Sequence, residues 1–258
     1  MSNPKQKDRR MWALKQRAED AKTLELYIYG DVEGDSYDWW TDETIQSETS
    51  ANAFRDALAE HPEATEIAVY INSYGGSVFE GTAIYNQLKR HSAHKTVYVD
   101  GFACSIASVI AMAGDTVVMP RNALMMIHNM SMGIYGNAAE LRKAADNLDT
   151  INQAGMEAYL QKAGDKLDLP TKVETNGSDG AKNILTRAEI AACDGIIVAA
   201  EKKVETARFD GKPVLFTRVD DGIHKPEELI KKIAHGEVPV YHAEGGAAAE
   251  DDSSTKDS

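Results

Sequence analysis

Ser105 and His128 come first, because a hydroxyl and an imidazole brought together by a fold can make and break acyl bonds. A serine hydroxyl is a weak nucleophile until a neighbouring imidazole takes its proton, and the same imidazole can then protonate a leaving amine. Ser105 stands in "GFACSIASVIAMAG" (101–114), between a strand and a short apolar helix. This is the setting of a nucleophile elbow, with alanines at 103 and 107 where G-x-S-x-G has glycines. Unpaired N–H groups at the start of the helix would favour an oxyanion developing beside Oγ. His128 closes "ALMMIH" (123–128), a strand end from which a side chain projects into a crevice. The paired glycines of "INSYGGSV" let the main chain approach a substrate closely and aim peptide N–H groups at an anion.

Each of these residues also has a plain structural use. Serine is among the commonest helix caps, and a histidine can simply be satisfied by a backbone carbonyl. A phosphate-binding reading of the glycines is disfavoured, because G-x-x-x-x-G-K-[ST] is absent. Cys104 is a rival nucleophile only in name, since small cysteines in apolar segments are usually packing residues. His91 and His94 follow a helix without an H-E-x-x-H pattern, so no metal and no cofactor is expected.

The elements that must hold these residues alternate in type. "TLELYIYGDV" (23–32), "EIAVYIN" (66–72) and "KTVYVDG" (95–101) read as strands, with 115–120 and 123–128 as two shorter ones. Helices are expected at 50–62, capped by Ser50, at 77–91 and at 105–113, while the acidic stretch 33–49 reads as irregular. Strands alternating with helices point to parallel pairing in an α/β fold. Residues 136–163 form one long amphipathic helix, with Gly164 placed to end it. A polar loop over 165–183 leads into a helix and strand at 185–197, and a further strand and helix follow at 214–219 and 225–236. The expected organisation is a polar segment 1–22, a core domain 23–200, an appendage 201–242 and a disordered acidic tail 243–258.

Composition narrows the classes. With 258 residues and 43% apolar content the chain can bury a substantial interior, and 41 acidic against 28 basic residues, net −13, argue against a nucleic-acid-binding surface. Two cysteines offer no disulfide framework, which suits a reducing, cytoplasmic setting. The first twenty residues lack a signal-peptide core and no apolar run reaches the roughly 18 residues a spanning helix needs, so neither secretion nor a membrane partner is expected.

"INSYGGSVFEGTAIYNQLKRH", "GFACSIASVIAMAG" and "NALMMIHN" resemble, in order and spacing, the three signature segments of the ClpP-like serine peptidases, and most of all their phage-encoded branch of head-maturation (prohead) proteases. The resemblance covers roughly residues 24–200. It implies a crotonase-like (ClpP) fold of stacked βαβ units, a homo-oligomeric ring and a long handle helix, at 136–163, used in subunit contacts. By position, Ser105 resembles the nucleophile, His128 the general base, and the N–H groups of Gly76 and Ile106 the oxyanion hole. Tyr74 stands where the family usually has the proline of "SPGG". The family's third triad member precedes a segment resembling "LTRAEIAACDGII", where direct alignment places Lys182; Asp179 is the first choice in the longer loop and Glu174 the next. Asp179 reads equally well as a turn residue of "NGSDG".

The expected function is a serine endopeptidase that works through an acyl-enzyme on protein substrates, the capsid or scaffold proteins of a maturing phage head in the first instance. Alternatives are a degradation peptidase fed by an unfoldase, an acyl-CoA hydratase-like enzyme if Ser105 only caps its helix, and a non-catalytic assembly protein.

Overall fold

A computed structural model of the chain describes residues 15–16, 22–177, 180–200 and 204–243. Asp179, most of the segment 1–22 and the acidic tail beyond Ala243 lie outside the described residues.

The chain runs through β1 (Lys15–Gln16), β2 (Thr23–Val32), β3 (Ser36–Asp38), β4 (Glu43–Ile45), α1 (Ala51–Glu60), β5 (Glu66–Gly76), α2 (Val78–Arg90), β6 (His94–Cys104) and α3 (Ile106–Ala111). It continues with β7 (Thr116–Val118), β8 (Leu124–Met126), α4 (Ala138–Leu167), β9 (Thr175–Gly177), β10 (Gly180–Lys182), α5 (Arg187–Ala192), β11 (Ile196–Ala199), β12 (Val214–Thr217), α6 (Val219–His224) and α7 (Pro226–Ala234). No described helix is long and apolar enough to cross a membrane.

Period-two alternation builds the main sheet. Leu24, Leu26 and Ile28 of β2, Ile67, Val69 and Ile71 of β5, and Val97 and Val99 of β6 all point to one face and are buried. The strand order is β1-β2-β5-β6-β7, with β8 also on β6; β1 is antiparallel and every other pair parallel. A slip of one residue would turn these aliphatic rows outward, so burial fixes the register. Phe54 of α1, Ile84 and Leu88 of α2, and Ile106 and Ile110 of α3 close the core over that face. The opposite face stays half-exposed and carries Tyr27, Tyr70 and Tyr98 in adjacent register, their rings stacked at 4.7 and 5.0 Å. The expected α/β architecture with a parallel sheet is thus present.

Local signals set most helix ends. Ser50 accepts from Ala53 N–H at 3.2 Å, and Asn137 with Glu140 forms a reciprocal capping box at the start of α4. The end of α4 differs from expectation. Gly164 lies inside the helix, which runs on to Leu167 and stops at Asp168 in the left-handed region (φ 55°). The glycine is needed for space: a Cβ there would stand 2.3 Å from Thr171 Oγ1, because the chain folds back over it and Leu169 N–H bonds Gly164 O. The stretch read as irregular contains the β3–β4 hairpin, and helix α6 was not anticipated.

The last described third of the chain makes its own small sheet. β11 and β12 pair in parallel around a second cluster of Ile190, Ile196, Phe209 and Val214. The domain boundary expected at residue 200 falls between these two strands. Helix α6 ties the unit to α4, with Gly222 packed so closely on Met156 that a Cβ would meet its Sδ at 2.6 Å.

Burial pushes the Tyr85 and Tyr159 hydroxyls up to about 12. Above pH ~10 the unfolded chain ionises these phenols while the folded chain does not, so the stability they contribute is complete below pH 10 and is lost as pH rises towards 12. The urea midpoint should therefore fall between pH 9 and 11, and fall less in Tyr85→Phe, which also removes a buried hydroxyl that has no partner. An equal fall in both proteins would show that burial of Tyr85 plays no part.

Candidate functional site

β5 and β6 end side by side, and the candidate residues collect at those carboxyl ends. Ser105 follows the last residue of β6 and precedes α3, with φ 53° and ψ −128°. That conformation costs a non-glycine residue about 1–3 kcal/mol and persists only where the surroundings enforce it. Three contacts do so. Ser105 N–H donates to Met126 O of β8 at 2.8 Å, Ser105 O accepts from Ser108 N–H at 3.0 Å, and Ser108 Oγ donates to the same carbonyl at 2.5 Å. Ser108 Oγ in turn accepts from the buried Tyr159 hydroxyl of α4 at 2.7 Å. The side chain of Ser105 makes no capping bond, although it occupies the N-cap position. The plain reading of Ser105 as a helix cap is therefore set aside by the geometry.

Gly75 closes on this turn. Its φ is +103°, and a Cβ there would lie 2.7 Å from Ser105 Cβ, 2.8 Å from Cys104 O and 3.3 Å from Ile106 N. Gly76 (φ +139°) presses on β2 instead, where a Cβ would stand 2.3 Å from Val32 O. The N–H of Gly76 belongs to the peptide that leaves Gly75, so both expected oxyanion donors sit in peptides flanking the Gly75–Ser105 contact. Ser73, 1% exposed, braces the loop by accepting the Gly75 N–H at 3.0 Å. Ile106 is held from behind by α2, where Gly81 leaves room for its Cγ1.

His128 lies two residues beyond β8, whose Met126 bonds Ser105, so the two candidates share one end of the sheet. Among the described residues no hydrogen bond joins them. The His128 Nδ1 is 2.6 Å from Asn129 O. A carbonyl oxygen only accepts, so Nδ1 carries the proton and the Nε2 lone pair is left to act as base. Asn129 was not singled out from the sequence, and no sequence signal could have found it, since every residue has a carbonyl.

Glu174 does not serve His128. Its carboxylate grips the Arg208 guanidinium with both oxygens and accepts Leu185 N–H at 2.8 Å, which commits it to the C-terminal unit. Lys182 falls in the β9–β10 hairpin. Cys104 is 4% exposed and packed under the turn. Tyr74, which stands in the proline position, is exposed and stacks on Phe102 at 5.1 Å beside the glycine loop. No group of three or more metal-ligating side chains occurs among the described residues.

Gly75→Ala should abolish whatever chemistry Ser105 performs while leaving a folded protein, since the added methyl must displace the elbow. Circular dichroism and Ser105 acylation measured together check this; normal acylation by Gly75→Ala would refute the tight contact.

A family model described as Clp protease matches residues 42–197, more than half of the chain. ATP-dependent Clp protease proteolytic subunit 3 of Streptomyces coelicolor is 37% identical over 143 residues, covering 54% of this chain and 63% of that protein. The ATP-dependent Clp protease proteolytic subunit of Pleurastrum terricola is 31% identical over 150 residues, 56% of this chain and 73% of that protein. A separate similarity is to the PTS system fructose-specific EIIABC component of Bacillus subtilis, 47% identical over 87 residues, 34% of this chain. The chain spans 14% of the length of that relative. Taken with the parallel sheet and the glycine-loop elbow, the match over residues 42–197 places the chain in the Clp protease family.

Proposed function

We propose that the chain is a serine peptidase that cleaves peptide bonds through an acyl-enzyme, with Ser105 as nucleophile and His128 as general base. The observation that carries this reading is the Ser105 backbone, held at φ 53° against Gly75 with its hydroxyl free of any capping bond. A serine kept for capping has no use for that strain. His128 Nε2 takes the Ser105 proton as Oγ attacks the scissile carbonyl, and the same nitrogen then protonates the leaving amine. The N–H groups of Gly76 and Ile106 receive the oxyanion. Water deprotonated by His128 releases the acyl group.

The bond from Nδ1 to Asn129 O supports a dyad whose imidazole is oriented by a main-chain carbonyl. Asp179 is the alternative third member. Sequence resemblance supports capsid or scaffold proteins of a maturing phage head as substrates, within the cytoplasm of the host. The βαβ units fit a crotonase-like core, and the half-exposed tyrosine face of the sheet fits a homo-oligomeric ring, because parallel sheets are ordinarily covered on both sides.

A fluorophosphonate probe should label the protein, Ser105→Ala should lose labelling entirely, and His128→Ala should slow it at least a hundredfold. Labelling that persists in Ser105→Ala overturns the assignment. Asp179→Asn should slow labelling less than tenfold if Asn129 O holds the imidazole, whereas a loss on the order of 10⁴ would make Asp179 the third triad member.

A further inference from the structure

Ser105 is strained in one particular direction. The left-handed well lies near φ +57° and ψ +47°, roughly, whereas Ser105 has φ 53° and ψ −128°. The φ fits and the ψ is wrong by about half a turn of the Ser105–Ile106 peptide. Flipping that peptide, by turning Ser105 ψ and Ile106 φ in opposite senses, would let Ser105 relax. The same flip would undo the oxyanion hole. In a trans peptide the C=O and N–H point in opposite directions, and no cis bond occurs among the described residues. Turning the Ser105 carbonyl over therefore turns the Ile106 N–H away from the place where the oxyanion forms.

Two hydroxyls hold the carbonyl where it is. Ser105 O accepts from Ser108 N–H at 3.0 Å and from Ser108 Oγ at 2.5 Å. With its own proton spent on that carbonyl, Ser108 Oγ accepts from the Tyr159 hydroxyl at 2.7 Å. A helical serine commonly bonds a carbonyl one turn back, and that bond alone would call for no special account. Here a second hydroxyl, 51 residues away in sequence, backs the first. Ser108 is fully buried and Tyr159 is 6% exposed, so water does not stand in for either. Hydroxyls bonded in series polarise one another, which strengthens the last bond, the one to Ser105 O. The peptide on the other side of Ser105 is pinned separately, through its N–H to Met126 O.

We propose that Ser108 and Tyr159 are positioning residues that lock the Ser105–Ile106 peptide against this flip and so keep the Ile106 N–H aimed at the oxyanion. Neither touches the substrate, and Tyr159 acts only through Ser108. The inference rests on the peptidase reading. Removing one oxyanion donor slows acyl transfer by about 10²- to 10³-fold, which is the ceiling for releasing the lock.

The test follows inactivation of the full-length protein by a fluorophosphonate, resolved into the reversible constant KI and the rate constant kinact, beside urea midpoints. Ser108→Ala should lower kinact at least tenfold and Tyr159→Phe at least threefold, with KI unchanged in both. The double variant should be no slower than Ser108→Ala, because the two residues act in series. Stability should move differently. Ser108→Ala leaves the buried Tyr159 hydroxyl without its partner and lowers the midpoint, and adding Tyr159→Phe removes that hydroxyl and raises the midpoint again. Recovery of kinact along with the midpoint in the double variant would show a merely structural role and overturn the proposal. So would normal kinact in Tyr159→Phe, a conservative change that keeps the ring, while the wild type labels at Ser105; the peptidase reading would then stand alone. A wild type that does not label at all would overturn both.

Discussion

Two turns of the main sheet touch where neither has room for one more carbon atom. Gly75 and the Ser105 elbow approach so closely that a methyl group on the glycine would overlap both the serine Cβ and the carbonyl before it. The approach is enforced from several directions: Ser73 braces the glycine loop, β8 holds the Ser105 amide, and α2 presses Ile106 through the space left by Gly81. Strain at one residue is sustained by packing and hydrogen bonds spread across four elements, and this lets a side chain that would otherwise cap a helix stand free.

Helix α4 connects this arrangement to the rest of the molecule. Through Tyr159 and Ser108 it reaches the carbonyl of Ser105, and Met156, one turn earlier on the same face, packs against Gly222 of α6. A network of this kind resists rearrangement because each buried polar atom would lose its partner if any member moved. The Arg208–Glu174 pair does comparable work inside the C-terminal unit, joining residues 34 apart in the chain.

The central strands were legible because apolar alternation in Leu24–Ile28, Ile67–Ile71 and Val97–Val99 admits only one buried face. Ser105, His128 and the glycine loop were legible because their residue types are unusual at strand ends. The β3–β4 hairpin was not, since Tyr37 and Ile45 are exposed and it is secured by local bonds such as Asp38 to the Trp40 N–H rather than by a buried face. Gly164 misled for a different reason: its role is to admit Thr171, a contact made only after the chain turns back. Glu174 likewise looked available until its partner arrived from beyond residue 200. Local periodicity survives in a sequence, whereas contacts between distant segments leave no local mark.

The far edge of β6 is shared by two short strands placed end to end, β7 on Thr96–Tyr98 and β8 on Phe102–Cys104. Neither depends on the other for its pairing. His128 is therefore carried just beyond a three-residue strand whose last residue, Met126, also holds the Ser105 amide. The element that delivers the candidate base is thus the one that clamps the candidate nucleophile, and a shift of this short strand would disturb both partners of the dyad at once.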